Sequence, residues 1–114
     1  MGLLGKAIAK NNVNRAGSAS TEDIHALIAH FHHEAHSFHC IVLQGSGDIT
    51  GMIAGHGAVC ANLPDGNLLV LLPGALDRKL FAHRLSKSSG LAVLAQFHAN
   101  SSSIAIETLN PYLR

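Results

Sequence analysis

The chain has 114 residues, 47% apolar and 13% charged, with a formal net charge of +1. That length holds one domain with a real core, and that composition excludes a chain kept open by its own polarity. Near neutrality leaves no basic stripe for phosphates, and no Trp and a single Tyr leave few platforms for stacking bases, so nucleic acid is excluded as a main partner.

Residues 1–19 begin weakly amphipathic at Leu3, Leu4, Ala7 and Ile8, then decay into NNVNRAGSAS. They read as a flexible tail and linker, or alternatively as a docking peptide for another molecule. Residues 20–114 are left as a single α+β domain. The opening MGLLGKAIAK is too short in apolar residues for a secretory signal, and Lys6 stands where myristoylation requires Ser or Thr. No apolar run approaches the roughly 20 residues of a membrane span. A cytoplasmic protein without membrane contact is the expectation.

Ser20 followed by Asp23 is an acidic variant of the capping box. Ile24, Leu27, Ile28, Phe31, Ala35 and Phe38 then recur at the spacing of one helical face, which predicts a helix over 21–37. A strand follows over 39–44, where Cys40, Ile41, Val42 and Leu43 leave no polar side. Glycine-rich residues 45–57 carry Ile49, Met52 and Ile53, enough for at most two helical turns.

Residues 58–74, AVCANLPDGNLLVLLPG, are two strands meeting at a turn. Pro64 presets the second position of a type I turn, Asp65 tolerates the third, and Gly66 accepts a left-handed backbone. The strand before the turn, 58–63, is mixed and suits a sheet edge, whereas 68–72 is apolar throughout. Asp77 then lies in the first turn of a helix carrying Leu76, Leu80, Phe81 and Leu85, which Gly90 closes. Over 91–98, Leu91, Val93, Ala95 and Phe97 alternate with Ala92, Leu94, Gln96 and His98, the pattern of a strand with one wetter side. Asn100 and three serines offer caps for a last helix, with Ile104, Ala105, Thr108, Leu109 and Tyr112 on one face and an end near Asn110, ahead of Pro111. A strand through Ile104 and Ile106 is the alternative.

The middle six elements run βαββαβ, a ferredoxin-like α+β arrangement. It implies a four-stranded antiparallel sheet of order 4-1-3-2, here with an extra N-terminal and a C-terminal helix. The first and third strands, central in that order, are the uniformly apolar ones. The second and fourth, at the edges, are mixed. Pattern and topology agree. Cys40 and Cys60 fall within strands, where a buried free thiol is the ordinary reading and a disulfide or metal role the alternative.

From VCANLPDGNLLVLLPG through the next helix to LAVLAQF, the chain resembles the second half of a GGDEF (diguanylate cyclase-like) domain. The resemblance is best over 58–97. It implies a ferredoxin-like core with a nucleotide site at the hairpin tip, but the residues there depart from the family. Pro64 and Asp65 stand where its two glycines would, and Gly66 and Asn67 where its acidic pair would. Gln44 and Gly45 occupy the place of a metal-binding Asp, with Asp48 too late in the chain. The upstream R-x-x-D motif is missing. Without carboxylates to hold a metal, no phosphoryl-transfer chemistry is expected. A degenerate nucleotide-binding domain is the most the resemblance supports.

Nine histidines remain to be placed, six of them between His25 and His39. Wound on a helix, His25, His32, His36 and His39 form one stripe, and His32 and His36 have the four-residue spacing at which two imidazoles share a metal. His25, His32 and His36 are therefore the candidate zinc ligands, against the reading of a merely polar helix flank. His33-Glu34-Ala35-His36 is one residue short of H-E-x-x-H, so the protease signature does not apply. No paired carboxylates, nucleophile elbow or phosphate loop occurs, and no catalytic or cofactor-binding residue is assigned. The sequence thus points to a non-catalytic interaction or regulatory module working through a protein partner or through self-association as a homodimer. A metal- or pH-responsive binding protein built on the His-rich helix 24–39 comes second.

Overall fold

A computed structural model describes residues 20–113. The tail expected over 1–19 lies outside them. The elements in order are α1 (Thr21–Ala35), β1 (Phe38–Leu43), α2 (Thr50–Ile53), β2 (Val59–Asn62), β3 (Leu68–Pro73), α3 (Arg78–Ser89), β4 (Val93–Ala99) and α4 (Ser102–Leu109), closed by a 3-10 turn at Asn110–Tyr112. The four strands form one antiparallel sheet in the order β2-β3-β1-β4. Read from the other end, this is 4-1-3-2. The ferredoxin-like α+β expectation holds.

Local chemistry sets most boundaries. Ser20 and Asp23 form the capping box, with the Ser20 side chain accepting from the Asp23 N–H at 3.1 Å and Asp23 accepting from the Ser20 N–H at 3.3 Å. At the hairpin, the Gly66 N–H donates to the Leu63 carbonyl at 2.9 Å, and Gly66 takes φ 92°. Asp77 caps α3 by accepting from the Leu80 N–H at 3.1 Å, and Gly90 ends it at φ 78°. Ser101 caps α4, and Pro111 falls in the closing 3-10 turn, so this segment is a helix and the strand alternative is set aside.

The first helix stops at Ala35, two residues earlier than its periodicity predicts, because His36 caps it with φ 64°. That reversal carries Phe38 and His39 out of the helical stripe and into β1. Phe38 is still buried against α1, meeting Phe31 edge to face with ring centroids 5.9 Å apart. The apolar face of α4 also differs from expectation. Ala105 and Leu109 are buried, but Ile104 is 48% exposed, and Thr108 is exposed with its hydroxyl donating back to the Ile104 carbonyl.

All six residues of β1 are buried, and alternation sends them to two faces. Phe38, Cys40 and Val42 join Leu69 and Leu71 beneath Ile24, Leu27, Ile28 and Phe31 of α1 and Ala105 and Leu109 of α4. Ile41 and Leu43 join Leu68, Val70 and Leu72 beneath Ile53 of α2 and Ala82 and Leu85 of α3. The chain's own helices therefore cover both faces, and neither face needs a second subunit to bury it.

One irregularity decides the fourth strand. Pairing with β1 runs evenly from Phe38↔Ala99 to Val42↔Ala95, then shifts so that Leu43 meets Val93. The bulge turns alternating residues across the sheet. Ala95 and Phe97 pack on the α1–α4 face, whereas Leu91 and Val93 pack on the α2–α3 face. A single face for Leu91, Val93, Ala95 and Phe97, as strict alternation predicts, is corrected.

Candidate interaction surface

The histidine stripe does not survive folding as one surface. His25 and His32 are half-buried on α1, and the His32 ring lies tilted 5.8 Å from that of Phe38. His36 is exposed at the helix cap, where its N–H still donates to the His32 carbonyl at 2.8 Å but its φ of 64° is not that of a helical residue. Among the described residues no group of three His, Cys, Asp or Glu side chains is placed to hold a metal ion. His25, His32 and His36 are not brought together.

His39 is in β1, not on the helix, and is buried. Its Nε2 lies 2.9 Å from the Leu76 carbonyl and 3.1 Å from the Gly74 carbonyl. Both oxygens can only accept, so Nε2 carries the hydrogen. Nδ1 is buried with no hydrogen-bond partner. A second proton there would gain nothing, and burial, with the neighbouring His98 and Arg78 adding, holds the His39 pKa below the usual imidazole value; the two carbonyl bonds oppose this. The ring ties the 74–76 corner that launches α3 to the central strand. Its neighbour across the β1–β4 ladder is His98, ring centroids 5.0 Å apart.

The hairpin tip is satisfied internally. Asp65 accepts from the Asn67 backbone at 3.0 Å and from its side-chain amide at 2.9 Å, while Asn67 Oδ1 accepts from the Gly45 N–H at 3.0 Å. Cys40 and Cys60 are free and buried. Burial pushes the Cys40 thiol up to about 12 and the Cys60 thiol to about 11, the latter with help from the Asp48 carboxylate. Neither is a thiolate nucleophile near neutral pH.

Two shallow grooves lie along α3, of about 190 and 170 Å³, sharing His56, Phe81 and Arg84. Both are smaller than the roughly 300 Å³ at which small-molecule pockets begin. Among the described residues no helix is long and apolar enough to cross a membrane.

The edges of the sheet remain. β2 is four residues long, and β4 is seven: Val-Leu-Ala-Gln-Phe-His-Ala, with no charge and no proline. Leu94, Gln96 and His98 are exposed along it, and Gln96 accepts from Arg78 Nε at 3.1 Å. Among the described residues no strand pairs with its outer side. These three residues have no assigned role in the sequence reading, although the wetter side of the 91–98 alternation holds all of them. No family model, curated protein or solved structure matches the chain.

Proposed function

We propose that the chain is a non-catalytic protein-interaction module that engages its partner through the open edge of β4. The observation that carries this reading is the closure of both sheet faces by the chain's own helices, which leaves two unpaired edges among the described residues, the four-residue β2 and the longer, seven-residue β4. An extended segment added there would gain main-chain hydrogen bonds along its length, the mode of strand addition. The small grooves, the protonated thiols and the internally bonded hairpin tip all support a role in contact over one in chemistry.

A photo-crosslinking residue placed at exposed Leu94, compared with one at exposed His33 on α1, tests the reading in cells. Protein adducts of defined mass are expected from position 94 and not from position 33. Equal adducts at both, or none at 94, would remove the β4 edge as the working surface.

A further inference from the structure

We infer that the partner of β4 is β4 of a second copy of this chain, paired antiparallel about a two-fold axis beside Phe97, so that two four-stranded sheets join into one of eight. This deepens the reading of the chain as an interaction module, on which it rests.

Open edges in folded proteins are ordinarily blunted by charge, proline or shortness. β2 is short, four residues ending one position before Leu63-Pro64. β4 has seven residues and neither charge nor proline. Its one irregularity, the bulge, lies at the Val93 end, so the evenly paired backbone runs from Ala95 to Ala99. The centre of that stretch is Phe97.

Pairing about Phe97 sets Ala95 opposite Ala99, Gln96 opposite His98, and Phe97 opposite its own copy. Each match keeps like faces together. Ala95, Phe97 and Ala99 all pack on the α1–α4 side, so the two aromatic rings would extend one apolar layer across the join. Gln96 and His98 are exposed on the other side. An amide and an imidazole each supply a donor and an acceptor, so the facing pair can hydrogen-bond in either sense. Cross-strand pairs of these kinds are the unit of sheet stabilisation. No residue of β4 itself is charged, and a net charge of +1 per chain opposes association only weakly; the nearest cation on this side, Arg78, donates to Gln96 Oε1 of its own chain at 3.1 Å. A second copy brings the same uncharged, proline-free segment and the Gln96–His98 match, whereas a foreign strand must supply that complementarity separately.

Light scattering on the full chain after size exclusion, at micromolar concentration, should give twice the 12.0 kDa chain mass. The double substitution Gln96→Lys with His98→Lys sets two ammonium groups against each other across the axis and should return the mass to one chain, with an unchanged far-UV circular dichroism spectrum. Gln96→Glu with His98→Lys sets carboxylate against ammonium and should restore the dimer. A register centred on Gln96 would instead set the two new carboxylates face to face and keep the chains apart. A monomeric wild-type chain, a dimer that survives the two lysines, or a failed charge-swap rescue would each overturn the inference. The first of these outcomes, accompanied by adducts to another protein from position 94, would leave the interaction reading standing. Absence of any adduct at position 94 would remove both.

Discussion

The two faces of the sheet are built differently. Beneath α1 and α4 every buried side chain among the described residues is apolar, with Phe31 and Phe38 locked edge to face. Beneath α2 and α3 the roof is a single turn and one helix, with shallow grooves beside it. His39, the one buried polar side chain among the described residues, lies on this side of the sheet. One face is a dry anchor. The other has a polar staple and room to relax, and it carries the exposed Gln96 and His98 of the β4 edge.

Leu71 and Leu72 offer the sharpest comparison, because they are neighbours on β3, fully buried, and on opposite faces. Truncating a buried Leu to Ala costs about 3–5 kcal/mol, and more where the surroundings cannot collapse. Leu71→Ala, beneath two full helices, should fall near the top of that range, and Leu72→Ala near the bottom. Urea unfolding of the two variants measures both. Equal losses would mean the two roofs are equally rigid.

A smaller effect is expected at the corner His39 holds. A β-carbon on Gly74 would lie 3.0 Å from the Ser37 carbonyl oxygen and press on the Ser37 hydroxyl, and the Gly74 N–H already donates to that same carbonyl at 3.0 Å. Gly74→Ala should cost about 1–3 kcal/mol, the range for overpacking. A variant as stable as the wild type by thermal melting would show that the corner yields.

The smallest effect concerns pH. The His39 pKa is depressed in the folded state, so the unfolded chain binds more protons over the interval below about 6.5. The stability this group contributes is therefore complete above that value and declines as pH falls towards the lowered folded pKa. His39→Gln retains an N–H for the Leu76 carbonyl but cannot titrate. Its unfolding midpoint should change less than that of the wild type between neutral and mildly acidic pH. Parallel curves would count against a titrating His39.

Much of this architecture is legible in the sequence because it is fixed by neighbours along the chain. The Ser20–Asp23 box, the Pro64–Gly66 turn and the Gly90 stop each involve residues within a few positions of one another. The uniform apolarity of β1 and β3 reports their central places directly. The candidate surface was harder to see. Periodicity put His39 on a helical stripe with His25, His32 and His36. The positive-φ cap at His36 leaves His39 at the head of the strand expected over 39–44, beside a histidine fifty-nine positions later in the chain. No local pattern encodes that meeting.

The sequence by itself determined the element order, the hairpin and which strands lie inside, because short-range sterics and the spacing of apolar residues specify them without reference to distant segments. Tertiary structure alone decided how the faces are shared. The bulge that moves Val93 and Phe97 to opposite sides, the closure of both faces by the chain's own helices and the exposure of Ile104 all depend on how distant segments compete for one limited layer of packing. The open β4 edge follows from the same competition. The sheet ends there because, among the described residues, no further strand is placed beside it.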